Sequence, residues 1–394
     1  MRELDFSEKN LRHRWQGVKP IWDAIQGEVK HQVKRRLEQA MRMEVCHHLR
    51  CGRYRRSAQR QGYRNGSYGR DLLTRYGWIA SLMVPRVRAG GFQPSVLERY
   101  RRRQRQVDQV LLETFLLGHA TRKTRRVCRR VFGASISAQG VSNIVATLDG
   151  EVQAFHRRRL SDDYRVLYLD GLWITLRQPV RVQRVVLVAL GVRPDGREEL
   201  VSFQLAPSES EACWWGFLAD LKERGLRGAS LSAIVSDGAS GLLKALRGLL
   251  PRVDHQWCVW HKVMDLGDHL VNPRHRRAII ADAFQIFEAA TASEARRRLA
   301  GFIRRWHERE VRAVRNFQRG FVDCLTYLAF PEPWRTRLKT NSRLERYLEE
   351  FRRRIIPMRS FANAKSANRI IYGIIAYVLN HQSEGPETEF TQEG

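Results

Sequence analysis

Apolar residues recur at helical spacing near the start of the chain. Ile21, Ile25, Val29 and Val33 fall on one face of a helix expected over residues 8–50. The stretch Gly62-Tyr-Arg-Asn-Gly-Ser-Tyr-Gly69 breaks this pattern and reads as a loop. Two short runs follow, Asp71–Arg75 and Ile79–Val84, joined by Tyr76-Gly77-Trp78, and predict a β-hairpin ending at Pro85. From Arg105 the helical period returns in three pieces: Val107–Leu117, Thr121–Phe132 and Ser137–Gln153. Gly118 and Gly133 punctuate the breaks, and Thr121 and Ser137 are N-cap candidates.

After Asp163 the texture changes. Arg165–Leu176, Val182–Val192 and Glu199–Leu205 predict a three-strand meander, its second turn marked by Pro194-Asp195-Gly196. A helix near Glu209–Arg224, a strand Leu231–Val235, a helix Gly241–Leu250 and a strand His255–Val259 come next. Strand, strand, strand, helix, strand, helix, strand, helix is the element order of an α/β ribonuclease-H-like fold. From Lys262 to about Trp334 the text is helical with mixed charge, an all-helical insertion; helices resume at Ser342–Arg354 and Ala367–Leu379. The domain map is a helical region with a basic loop and hairpin (1–104), a helix-turn-helix domain (105–160), a catalytic core (161–261 with 336–382), the insertion (262–335) and a flexible tail (383–394).

Charge sharpens this map. The 394 residues carry 70 Lys and Arg against 41 Asp and Glu, a net +29. Between Cys51 and Gly133 there are 20 basic and four acidic residues, so this block supplies +16 of that total. A front-loaded excess of this size calls for a polyanion, and nucleic acid is the leading partner. In the three-helix unit the last helix would offer Gln139, Ser142 and Asn143 to base edges of double-stranded DNA. Arg122, Lys123, Arg125 and Arg126 on the middle helix would face phosphate. With 43% hydrophobic residues, a largely disordered chain is excluded. No run of about 18 uncharged apolar residues exists, and six scattered cysteines make no disulfide framework, so neither a membrane nor an oxidising compartment is expected.

Two acids stand where carboxylates are expensive. Asp170 interrupts the apolar strand Val166–Thr175, and Asp237-Gly238 closes the strand Ala233–Ser236 at its carboxyl end, where open α/β sheets place ligands. The two strands are adjacent in the expected sheet, and two carboxylates brought together call for a divalent metal. Each alone could be a turn residue. A third acid is open among Glu345, Glu349 and Glu350 on the helix begun by Asn341-Ser342; Ser342-Arg-Leu-Glu345 also fits a capping box, which would give Glu345 a purely structural role. Cys258 and His261 have C-x₂-H spacing, and Cys46-His47-His48 with Cys51 could add zinc ligands, but neither half is a complete signature; shaping the cleft is the favoured role. Trp257 and Trp260 are core residues, or one stacks on an unpaired base.

Several stretches together resemble the Mutator-like bacterial insertion-sequence transposases with a DDE centre. These are Gly62-Tyr-Arg-Asn-Gly66, Val84-Pro-Arg86, Tyr168-Leu-Asp-Gly-Leu-Trp173, Ser236-Asp-Gly238, Cys258-x-x-His261, and Asn341-Ser-Arg-Leu-Glu-Arg346 with Phe351-Arg-Arg-Arg354. They run in the family's order from about residue 60 to 380. The resemblance implies Asp170, Asp237 and Glu345 as the triad, a ribonuclease-H-like core with a helical insertion before the third acid, and recognition of terminal inverted repeats. One departure matters: the family's Asn, three residues before the Glu, falls here on Ser342. The expected chemistry is cleavage and strand transfer with two Mg²⁺ or Mn²⁺ ions held by the three acids. Trp260 and His261 would contact the strand, and Arg346, Arg352 and Arg353 would neutralise phosphates. Terminal repeats and target DNA are the expected partners, at least a homodimer forms on DNA, no small-molecule substrate is expected, and the site of action is the bacterial cytoplasm at the nucleoid. Two other classes use the same parts: a ribonuclease-H-like structure-specific nuclease, which cuts without joining, and a domesticated repressor, which binds without cutting.

Overall fold

A computed structural model describes residues 8–88, 91–98, 101–332 and 334–383, with side chains from residue 20 to 376. Except for Ser383, the tail expected over 383–394 lies outside the described residues. The chain divides into two compact units, Met1–Ala146 and Thr147–Gly394.

In the first unit, helix α1 (Glu8–His48) precedes an antiparallel hairpin of β1 (Arg64–Thr74) and β2 (Gly77–Val87). Val33, Leu37 and Met41, one turn apart, pack on Leu72, Ile79, Leu82 and Val84. The hairpin covers only that half of α1, so Ile21, Ile25 and Val29 remain exposed although they share the apolar periodicity. The hairpin is longer than expected. Arg64–Gly69, read as a loop, is the outer half of β1, and β2 runs past Pro85. That half is largely exposed, so no apolar alternation marks it; pairing with β2 makes it a strand. Gly66, at φ +67°, absorbs the register irregularity between Arg64 and Ser67.

Helices α2 (Arg105–Leu116), α3 (Thr121–Phe132) and α4 (Ala138–Ala146) complete this unit around Val107, Leu111, Cys128, Phe132, Val141 and Ile144. The α3 N-cap is Ala120, without a side-chain cap, and not Thr121. Ser137 does cap α4, its Oγ accepting from the Gly140 N–H at 2.9 Å. The piece Ser137–Gln153 is two helices, and the second, α5 (Asp149–Arg157), belongs to the other unit.

The second unit is built on a five-stranded mixed sheet of β3 (Val166–Leu176), β4 (Val182–Val192), β5 (Glu198–Ala206), β6 (Ala233–Ser236) and β7 (Asp254–Trp257). Its order is β5-β4-β3-β6-β7; β3 is antiparallel to β4 and parallel to β6. Helices α6 (Glu211–Glu223) and α7 (Ser240–Leu249) cover one face, burying Trp214, Phe217, Leu221 and Leu242 against Leu167, Leu169, Leu187 and Ile234. Helix α8 (Val259–Asp265) leads into α9 (Arg276–Ile286), α10 (Ala292–Trp306), α11 (Val311–Gln318) and α12 (Trp334–Leu338), with no strand among the described residues from 262 to 334. Lys262 anchors this helical segment: fully buried, its ammonium donates to the Asn316 and Arg319 carbonyls, 3.0 and 2.6 Å away. Helices α13 (Ser342–Ile355) and α14 (Ala364–Ser383) close the unit.

Replacing Ser137 by Ala should cost about 1 kcal/mol, the usual worth of an N-cap oxygen, while Ser137→Gly should cost only a few tenths. Urea melts of the full chain check this; equal midpoints for wild type and Ser137→Ala would contradict it.

Candidate active site

Successive side chains of β3 alternate between the faces of the sheet. Leu167 and Leu169 join the core under α6 and α7, which sends Tyr168 and Asp170 to the opposite face. There the Tyr168 hydroxyl donates to the Arg337 carbonyl at 2.8 Å. Asp170 accepts the Gly171 N–H on Oδ1 at 2.7 Å and the Asn341 side-chain amide on Oδ2 at 2.8 Å. Burial, reinforced by the charges of Asp237 and Glu345, pushes the Asp170 carboxyl up to about 8 despite the Gly171 N–H.

The parallel register pairs Tyr168 with Val235. Asp237 follows directly after β6, two residues beyond Val235 as Asp170 is two beyond Tyr168, and its charge acts on Asp170. Asp237 Oδ1 accepts the Ala239 N–H at 3.0 Å, forming the turn into α7. Gly238 sits at φ +81°, and any Cβ there would run into the Trp257 indole, so glycine is the residue that lets this turn form.

The third carboxylate arrives on α13, whose start is tied to the sheet. The Cys258 N–H donates to Ser236 O at 2.8 Å, the Val259 N–H to Lys339 O at 3.0 Å, and the Asn341 N–H to Cys258 Sγ at 3.2 Å. Asn341 is the N-cap residue of α13, but its side chain caps nothing; fully buried, it turns to Asp170. Its Oδ1 has no hydrogen-bond partner. Ser342 bonds Thr340 at 2.9 Å, so the capping box anticipated around Ser342 and Glu345 does not form. Glu345 instead holds Arg352 at 3.1 Å and lies 3.7 Å from His261 Nε2. Leu344, Tyr347, Leu348 and Phe351 are the buried face of α13, and Glu349 is exposed.

His261 is paired with Glu345 and feels the charges of the other two acids. The Cys258 side chain, then the Asp170 and Asp237 carboxylates, raise its imidazole to about 9 against the cost of burial. Asn341, Glu345 and His261 line an open cleft of about 470 Å³, and Asp237 and His261 line a second of about 380 Å³. The donors around Asp170 and Asp237 are oxygens, which suits a hard divalent cation. Among the described residues no group of three or more His, Cys, Asp or Glu is gathered closely enough to hold a metal as the side chains stand. Glu345 would have to leave Arg352 to join the other two.

The remaining candidates divide by surface. Arg122, Lys123, Arg125, Arg126, Gln139, Ser142 and Asn143 are exposed, opposite the buried Thr124, Cys128 and Phe132. Arg125 Nε also donates to the Ile136 carbonyl at 2.7 Å, and Gln139 donates to Asn143 at 2.8 Å. Arg346, Arg352 and Arg353 are exposed on α13, and Trp260 is 53% exposed near Phe284. Cys258 is buried, accepts from the Asn341 N–H and lines the first of these clefts. Cys46 is bonded by Arg64, and the Cys51 thiol donates to the Arg55 carbonyl. One acid at the site escaped the sequence reading. Glu209, in the turn before α6, lies against Gly171, and burial and the Asp237 charge raise its carboxyl.

Residues 8–383 match the family described as Transposase, Mutator family. A transposase for insertion sequence element ISRM5 from Rhizobium meliloti is 32% identical over 85% of this chain and 83% of its own length. A transposase for insertion sequence element IS256 in transposon Tn4001 from Staphylococcus aureus is 32% identical over 90% of this chain and 92% of its own. The chain belongs to the Mutator family of transposases. Among the described residues no helix is long and apolar enough to cross a membrane.

Ionising Asp170 in the metal-free protein works against folding. Its folded pKa is raised from 3.8 to about 8, so stability carried below pH 4 is lost as pH climbs toward 8. Asp170→Asn should abolish that decline and melt higher than wild type at pH 8 in chelator. Parallel melting profiles from pH 4 to 8 would contradict the assignment.

Proposed function

We propose that the second unit is a ribonuclease-H-like catalytic core and that the chain is a DDE transposase, binding the terminal inverted repeats of an insertion sequence and cutting and joining DNA strands. The observation that carries this reading is that Glu345, from α13, lies 3.7 Å from His261, whose imidazole is also raised by the charges of Asp170, on β3, and of Asp237, directly after β6. Three antiparallel strands followed by two parallel ones, in the order β5-β4-β3-β6-β7, support the core assignment.

Asp170, Asp237 and Glu345 would hold two Mg²⁺ or Mn²⁺ ions, which when bound supply Lewis acidity at the scissile phosphate and at the attacking oxygen. The protein's own part is to fix the acids. Gly171 and Asn341 orient Asp170, the turn at Gly238 orients Asp237, and Cys258 sets the start of α13. Arg346, Arg352 and Arg353 would offset phosphate charge beside the cleft, Trp260 offers an exposed ring to an unpaired base, and His261 adds positive charge next to the strand. In the first unit, α2–α4 would act as a helix-turn-helix. The basic face of α3 would meet phosphates, and Gln139 and Asn143 would exchange their mutual bond for base edges. Cutting both ends of one element together calls for at least two copies of the chain, at the nucleoid of a bacterial cytoplasm.

Asp170→Asn, Asp237→Asn and Glu345→Gln should each lower strand cleavage by at least a hundredfold while end binding stays within a few-fold of wild type; Glu349→Gln should cut normally. A cleavage and strand-transfer assay on end-containing duplex checks this, and full activity in Glu345→Gln with loss in Glu349→Gln would move the third role. Binding should also weaken steeply between about 50 and 200 mM salt. A salt-insensitive affinity would mean that the basic surface is not the grip.

A further inference from the structure

The two ends of the β1–β2 hairpin have different surroundings. At the inner end Leu73 joins the core of α2–α4, and Leu72, Ile79, Leu82 and Val84 pack toward α1. Cross-strand partners share a face, so Tyr68, opposite Val84, and Arg70, opposite Leu82, continue that face outward, with Arg86 one alternation beyond Val84. Tyr68 and Arg86 are exposed there. With Phe92, Pro94 and Arg102 this outer face walls an open cleft of about 930 Å³. The opposite wall is anchored to α1, since the Glu44 carboxylate accepts the Ser95 N–H and hydroxyl at 2.7 Å each.

Residues 51–88 hold nine arginines, one acid and no lysine. Among the described residues the ion pairs of this unit are made by Arg42, Arg101, Arg103 and Arg105, so none of the nine is neutralised. The acid, Asp71, is occupied in accepting the Ser81 N–H at 2.9 Å. Lysine would serve equally for diffuse attraction to a polyanion; arginine adds a planar fork that meets two phosphate oxygens at once. Two of these forks are stacked on aromatic rings, Arg86 over Tyr68 at 4.4 Å and Arg60 over Tyr63 at 4.2 Å from the ring centroid. We propose that the outer half of the hairpin and its cleft grip the phosphate backbone of duplex DNA, a contact separate from helices α2–α4 that supplies affinity without sequence preference. The proposal rests on the DDE transposase reading for the identity of the polyanion. Along β1, Tyr68 lies about 17 Å from Leu73, so the cleft and α4 would touch different stretches of one duplex. Phosphate contacts of this kind set position and strength, and leave the reading of bases to the helices.

The test uses the full-length protein and two labelled duplexes of equal length, one carrying the terminal repeat that flanks the gene and one scrambled, with binding read by fluorescence anisotropy over a range of salt. Arg86 and Arg102 are the residues to change, because both are exposed and, among the described residues, neither side chain donates a hydrogen bond. Arg86→Gln with Arg102→Gln should weaken binding to both duplexes by the same factor, about tenfold at ~100 mM salt, and make the salt dependence shallower by about two counterions. Arg86→Lys with Arg102→Lys should keep the wild-type salt slope, and the melting temperature of either double variant should match wild type. Gln139→Ala with Asn143→Ala should instead remove the preference for the end and spare the scrambled duplex. If the Gln double variant binds both duplexes like wild type while the α4 variant loses its preference, the hairpin grip is wrong and the transposase reading stands. A Gln double variant that loses only the preference for the end would overturn the claim of sequence-independent contact. A fall in melting temperature in both double variants would make these arginines part of the fold and not a grip. If wild type binds neither duplex, the DNA reading itself fails.

Discussion

A carboxylate sits near the middle of the central strand of an apolar sheet, and the second unit is organised around that expense. Val166 to Leu169 are fully buried, and Asp170 follows them with two hydrogen-bond donors, the Gly171 N–H and the Asn341 amide. Neither donor is charged, and the neighbouring Asp237 and Glu345 make the cost larger. A sequence selected only for stability would place Leu or Val there. Carrying the acid there instead fits the proposed reading, in which stability is given up for chemistry.

The rest of the geometry follows from fixing that one side chain from both directions. Along the sheet, the parallel pairing of β3 and β6 brings Asp237, at the carboxyl end of β6, near Asp170, and Gly238 lets the chain turn under the Trp257 indole. Across the sheet, α13 must arrive after more than 70 residues of helices, and it is located by backbone bonds through Ser236, Cys258 and Lys339, with Lys262 holding the inserted helices in turn. Cys258 therefore has a role that its C-x₂-H spacing with His261 disguised: its sulfur receives the Asn341 N–H. Glu345 is now held by Arg352 and His261; on the proposed reading these are the groups that face a phosphate strand, and DNA in the cleft would compete for them and free the carboxylate.

Much of this was legible in the residues. Strands β3 to β6 were readable because burial on both faces leaves continuous apolar runs, whereas β7, Asp254-His-Gln-Trp257, has only Gln256 buried and carries no such run. Asp170 and Asp237 were conspicuous for the same reason, as charges breaking those runs. The outer half of β1 was not legible, since a strand exposed on both faces carries no alternation and Arg64–Gly69 reads as a glycine-rich loop. The exposed Ile21, Ile25 and Val29 show the reverse failure, an apolar stripe longer than the surface that covers it. Glu209 and Asn341 were hidden because their significance comes from non-local neighbours. Glycines at 171 and 241 beside an acid at 209 form a pattern only once the fold brings them together, and a Ser-x-x-Glu sequence offered a local explanation for a helix start whose Asn was needed elsewhere.

The most direct test of this account is an anomalous-scattering map of the protein crystallised with Mn²⁺ and end-containing duplex. The account predicts a manganese peak within ligand distance of both Asp170 and Asp237, with Glu345 released from Arg352. Manganese bound elsewhere, with Asp170 still held only by Gly171 and Asn341, would contradict it.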